Sequence, residues 1–173
     1  VLAIGHSARD TFEMLFSHAL SLAPKPFSVG VRIEHLREDI DRALYGSCAG
    51  HPLLGPAEYA LSETRGERGV YTFCMCPGGE VINSSSEENG LAVNGMSYSA
   101  RLGENANSAL IVTITPSDFG DSPLDGIEFQ RSLEEKAFEL GNGLIPIQLF
   151  KDYKNNKVSK SLGNIKPIFK GNY

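Results

Sequence analysis

The string Tyr71-Thr72-Phe73-Cys74-Met75-Cys76-Pro77-Gly78-Gly79 restricts what this chain can fold into more than any other stretch. Side chains of an extended strand alternate between faces, which predicts Tyr71, Phe73 and Met75 on one face and Thr72, Cys74 and Cys76 on the other. One face is then core and the other carries two thiols. Pro77 lacks the N–H that a ladder needs, and Gly78 and Gly79 open backbone conformations that other residues avoid, so the strand stops there. The thiols are expected at a strand end, beside a bare turn that a ligand can approach closely. Asn94-Gly95-Met96-Ser97-Tyr98-Ser99-Ala100-Arg101 follows within one hairpin's reach and is expected to line the same edge. The alternative is two ordinary strand ends with turn glycines.

Composition narrows the classes. A chain of 173 residues can bury a core without staples. Its 16 basic and 21 acidic residues leave a net charge of −5, and no basic run occurs, which argues against a nucleic-acid partner. Three cysteines, two of them one residue apart, do not make the even framework of a small secreted domain, so a reducing cytoplasm is expected. No apolar run approaches the roughly 20 residues of a membrane span, and no signal peptide is visible, so no membrane partner is expected. Cys48 and His51 share the loop 46–56, but the single-residue spacer between Cys74 and Cys76 is shorter than zinc sites use, and no metal is expected. The first residue, Val1, is not an initiator Met, and the chain is expected to be a piece of something longer.

Along the chain, 1–5 reads as a short buried strand. A helix follows, with Ser7 as N-cap, Asp10 at capping-box spacing, and Phe12, Leu15, Phe16, Ala19 and Leu20 as its apolar stripe. Such a strand, glycine and helix start would aim backbone N–H groups at an anion. Residues 27–35 alternate cleanly as a half-buried strand, 38–44 is a short helix, and 57–63 and 70–76 form a hairpin with a longish loop. Strands are expected at 80–84, 91–97 and 108–115. A helix should open at Ser122-Pro123 and close at Gly141. Consecutive strands on short connections predict an α+β fold: an antiparallel β-meander or small β-barrel with flanking helices.

Four blocks carry a family resemblance: Ala3 to Asp10, Lys25 to His35, Tyr71 to Gly79, and Asn94 to Arg101, with Asn105-Ala106-Asn107-Ser108-Ala109 as a fifth. In this order they resemble the signature blocks of the uncharacterised FAD-dependent dehydrogenases, often called NAD(FAD)-utilising dehydrogenases. The resemblance implies an insert domain of a two-dinucleotide-fold flavoprotein. Residues 1–24 would be the end of an FAD-domain strand with its connecting helix, 25–147 the substrate-side antiparallel β domain with helix 123–140, and 148–173 a polar tail leading onward. It also implies FAD in the full-length protein, the FAD domain of its own chain as a partner, and an oxidoreductase acting on a small molecule. The chain departs from the family by lacking a Gly-x-Gly-x-x-Gly after a strand, so the isolated fragment is expected to bind no flavin and to be inactive alone. A non-catalytic ligand-binding or interaction module is the alternative.

Site residues follow from both lines. Gly5, His6, Ser7, Ala8 and Arg9 are the expected cofactor contacts. Arg32 and Arg101 are the cations for an anionic substrate, with Pro77, Gly78, Gly79, Asn94, Gly95 and Met96 lining the same place. Cys74, Cys76, His6 and His35 are the catalytic candidates, the histidines because imidazole titrates near neutrality. For the cysteines three roles stay open: a dithiol exchanging electrons with flavin, a substrate-contacting pair, or small core residues. On an extended strand their Cα atoms would lie about 6.6 Å apart, near the upper limit for a disulfide.

Overall fold

The structure, a computed structural model, describes residues 1–5 and 7–168. Its centre is an antiparallel four-stranded sheet in the order β1-β6-β3-β2, formed by β1 (Phe27–Leu36), β2 (Ser62–Arg65), β3 (Arg68–Cys76) and β6 (Asn105–Ile114). A separate hairpin joins β4 (Gly79–Asn83) to β5 (Val93–Ser97). Helices flank the sheets: α1 (Arg9–Ser17), α2 (Arg37–Tyr45), α3 (Pro116–Phe119), α4 (Asp125–Gly141) and α5 (Phe150–Lys154). The antiparallel α+β architecture is as the sequence predicts. The sheet is open, not a closed barrel, and it is not a meander, because β6, the last described strand in sequence, lies between β1 and β3.

The register gives each sheet face its residues. Arg32 stands opposite Ala109 and Glu34 opposite Asn107 on β1 and β6, so Ser28, Gly30, Arg32 and Glu34 share a face with Asn105, Asn107, Ala109 and Ile111. The β4–β5 hairpin covers the polar end of that face. There the Val81 backbone donates to Glu34, and Gly95 rests on Arg32 and Asn107. Phe27, Ile33, His35, Ser108 and Ile114 lie on the opposite face. Phe27 anchors α3 and α4 through Phe119 and Phe129, with ring centroids 5.1 and 6.4 Å away.

Several local expectations are overturned. Residues 1–5 form no strand and are exposed, since no described strand pairs with them. Helix α1 starts at Arg9 after Ala8, with no side-chain cap, and Asp10 accepts the Thr11 N–H at 2.8 Å instead of completing a box with Ser7. Ser122 does not cap α4 either: its N–H donates to Asp125 Oδ2 at 2.9 Å in a turn that precedes the helix. The β2–β3 hairpin closes more tightly than predicted, Arg65 pairing Arg68 across Gly66 and Glu67.

The chain exposes 11668 Å². A compact monomer of 18.7 kDa would expose about 8,300 Å² by the size scaling of folded proteins. Val31, Leu61, Phe73 and Met96 are among the large apolar side chains left open. Among the described residues no helix is long and apolar enough to cross a membrane.

Candidate functional site around Cys74, Cys76 and Arg32

The predicted alternation along β3 fails at one residue. Phe73 pairs Ala109 and Cys76 pairs Asn107, so two residues of β3 stand against one of β6. This is a β-bulge, with Cys74 in the left-handed region at φ 49°. The extra residue inverts the parity of the strand, and Cys76 joins the face of Tyr71, Phe73 and Asn107 instead of the opposite one. The two cysteines therefore do not share a single exposed face: Cys74 is exposed, Cys76 is buried, and both are free thiols.

They remain in contact. The Cys76 thiol donates to the Cys74 carbonyl at 3.3 Å and also interacts with the Cys74 thiol and the Ser97 hydroxyl. Burial pushes the Cys76 thiol pKa up. The Arg32 guanidinium pulls it back, and the Cys74 thiol pushes it up again.

The two segments expected to meet do so. A Cβ on Gly79 would stand 2.6 Å from the Met96 carbonyl oxygen and 2.9 Å from the Cys76 Cβ, so the three residues crowd one point. Ser97 Oγ donates to the Pro77 carbonyl at 2.9 Å. Gly78, at φ 58°, leaves room for the Arg101 carbonyl, which a Cβ there would approach to 2.1 Å. Pro77, Gly78, Gly79 and Gly95 are buried in this junction, while Asn94, Met96 and Arg101 are exposed on its rim. The Arg101 side chain pairs with Glu58.

Beneath Gly95 lies a polar layer. Arg32 Nη2 donates to the Cys74 carbonyl at 2.7 Å, and its buried Nε has no partner. Arg32 forms no ion pair with a described carboxylate. Asn107 is fully buried, and neither atom of its carboxamide is hydrogen-bonded. A buried, unpaired amide of this kind needs an explanation, because native interiors pair nearly all such groups. Glu34, next along the same face, has its carboxyl pKa raised by burial, against the opposing donors Asn105 and Val81.

The other expected site residues lie elsewhere. His6 falls outside the described residues. Gly5 and Ser7 are exposed and Ala8 precedes α1. The Arg9 side chain turns inward to Glu87 at 2.6 Å, Glu134 at 2.7 Å and Gln130 at 3.1 Å, none of them in the cysteine cluster. His35 is on the opposite sheet face from Arg32, bonded through Nε2 to Tyr59 Oη at 2.7 Å, and Tyr59 reaches Ser108 Oγ at 3.0 Å. Burial lowers the His35 pKa.

Sequence reasoning assigned no role to Asn107, Ser97 or Tyr59. The available signal was Asn105 and Asn107 spaced by two in a strand, where asparagine is disfavoured unless something on that face requires it.

The family profile described as "FAD-dependent protein, C-terminal domain-like" matches residues 26–173. The chain belongs to this family. An uncharacterized protein of Clostridium beijerinckii (strain ATCC 51743 / NCIMB 8052) is 51% identical over 178 residues, a match that covers 100% of this chain. The chain spans 33% of that relative's length. The matched region of this FAD-dependent family member contains the whole cysteine cluster and its polar layer.

Proposed function

We propose that the chain is the substrate-side domain of an FAD-dependent oxidoreductase, a dehydrogenase whose full-length form carries the flavin. Membership of the FAD-dependent family supports this, and one structural observation carries it: Arg32 and the buried Asn107 hold unused hydrogen-bonding groups beside two free thiols at a strand end. Unspent polar groups around a reactive pair are what a binding site offers and what a finished core avoids.

These residues fit one part of the cofactor and not another. The sequence holds no Gly-x-Gly-x-x-Gly, and among the described residues no such turn opens a helix toward a pyrophosphate. Arg32 suits the polar edge of a flavin ring or an anionic substrate group beside it, with Asn107 buried behind it under Gly95. When bound, flavin supplies the hydride chemistry. The chain's own residues bind and orient the substrate and exclude water, with Arg32 as the fixed positive charge. The excess surface, with Val31, Leu61 and Phe73 open, supports a role as one face against the flavin domain of the same protein.

The test is anaerobic reduction of the full-length protein with NADH, NADPH and a panel of small anionic metabolites, followed by flavin absorbance. Stoichiometric flavin bleached by one of them is expected. A full-length protein that binds no flavin would overturn the assignment in favour of a non-catalytic binding module. The isolated chain is expected to be colourless, and flavin retained on it at one equivalent would contradict the division of labour.

A further inference from the structure

We infer that Cys74 and Cys76 form a dithiol–disulfide couple that exchanges with low-molecular-weight disulfides, Cys74 being the thiol that attacks a disulfide arriving from solution and Cys76 the one that resolves. The inference deepens the proposed oxidoreductase role, naming the substrate class of the same site.

The bulge carries it. A regular strand would present both thiols equally, whereas here the extra residue at Cys74 turns one outward and leaves the other buried against it. Exposure with an adjacent second thiol is the arrangement in which an intermolecular disulfide forms at one sulfur and is cleared by its neighbour. Arg32 holds the Cys74 carbonyl, and its charge partly offsets the burial that pushes the Cys76 thiol pKa up. Cys48, in the 3-10 turn Gly46–Cys48, is exposed but has no second cysteine beside it.

The exchange balances. The Cys74 thiolate attacks one sulfur of a disulfide RSSR, a Cys74–SR bond forms, the S–S bond of RSSR breaks, and one RS⁻ leaves with the proton that Cys74 gave up. Cys76 then attacks the Cys74 sulfur, breaking the mixed disulfide and releasing the second RS⁻, which carries off the Cys76 proton. Two protein thiols are oxidised to one disulfide, and RSSR is reduced to two RSH.

The experiment treats full-length protein with oxidised glutathione, then quenches with acid and maps peptides by mass spectrometry. Trypsin places Cys74 and Cys76 together in 69–101 and Cys48 separately in 43–65. The expected result is loss of two hydrogens from 69–101 with a transient glutathione adduct on Cys74, and a lasting adduct on Cys48. Cys76→Ser should trap the adduct on Cys74. Cys74→Ser should slow reaction at position 76 by at least about tenfold, because that thiol is buried and poorly ionised. Should either variant fail to fold, the early-quenched wild type still decides the order of events. A lasting adduct on wild-type Cys74, an unreactive 69–101 peptide, or Cys76 reacting first would each overturn the inference. Flavin content measured on the same sample separates the two claims: flavin with no exchange defeats only the couple, and exchange without flavin defeats only the flavoenzyme assignment.

Discussion

Arg32 on β1 donates to the Cys74 carbonyl on β3 at 2.7 Å although β6 lies between the two strands. The crossing is possible because the residue opposite Arg32 on β6 is Ala109, whose methyl leaves the sheet surface low enough for the guanidinium stem to pass. A long side chain there would block it. The bond ties down a carbonyl at the bulge, where the ladder is interrupted and cannot use it.

Replacing Arg32 with Gln should therefore loosen the bulge and cost about 1–2 kcal/mol, the range for a charged donor on a partly exposed acceptor. Arg32→Lys should recover little of this, because an ammonium cannot present a planar fork across β6. Urea unfolding midpoints report both, and a lysine variant as stable as wild type would refute the geometric role.

Gly95→Ala should destabilise by about 1–3 kcal/mol through overpacking. Its Cβ would stand 2.1 Å from Asn107 Oδ1 and 2.4 Å from Arg32 Nη1. Gly55→Ala, with open space around it and no left-handed φ, is the matched control and should be nearly neutral. Equal unfolding midpoints for the two variants would mean that the hairpin does not sit tightly on Arg32 and Asn107.

Some of this was readable in the chain and some was not, for a physical reason. The alternation Phe27, Val29, Val31, Ile33 placed β1, and the convergence of the Cys76 strand end with Met96 followed from a short connection. Both are local properties. The bulge at Cys74 is set by pairing with β6 some thirty residues later, and no periodicity within Tyr71–Cys76 announces a register slip (~2-residue repeats look the same on either side of it). The central position of β6 likewise depends on long-range pairing. Arg9, read as a cofactor contact at a helix start, meets carboxylates at positions 87 and 134, which no window of neighbouring residues contains.

That Arg9 cluster should govern acid stability. Glu87 accepts from Arg9 and Arg131, and Arg131, foremost, holds its carboxyl at about 2, below the ordinary glutamate range of about 4.3. A folded-state pKa below the unfolded one contributes stability that is full above the unfolded value and is lost as pH falls toward about 2. Glu87→Gln should flatten the decline of the unfolding midpoint between about pH 4.5 and pH 2.5. Parallel curves for variant and wild type would show that the pairs are too well solvated to matter.

His35 acts in a higher window and through a different cause. Burial lowers its pKa in the fold, so on acidification the unfolded chain takes up the proton first, near the ordinary value of about 6.5. Stability is then greatest above that pH and falls as pH drops from about 6.5 toward the lower folded value, below which the loss levels off. Tyr59→Phe removes the hydroxyl that bridges His35 Nε2 to the buried Ser108 Oγ. The cost at neutral pH should be about 1–2 kcal/mol, the penalty of stranding a buried polar group. His35→Gln should remove the pH dependence in this window while leaving the Glu87 window intact. NMR titration of the His35 ring gives the direct measurement, and a midpoint at or above about 6.5 would show that the imidazole is hydrated and the His35–Tyr59–Ser108 chain is not closed in solution.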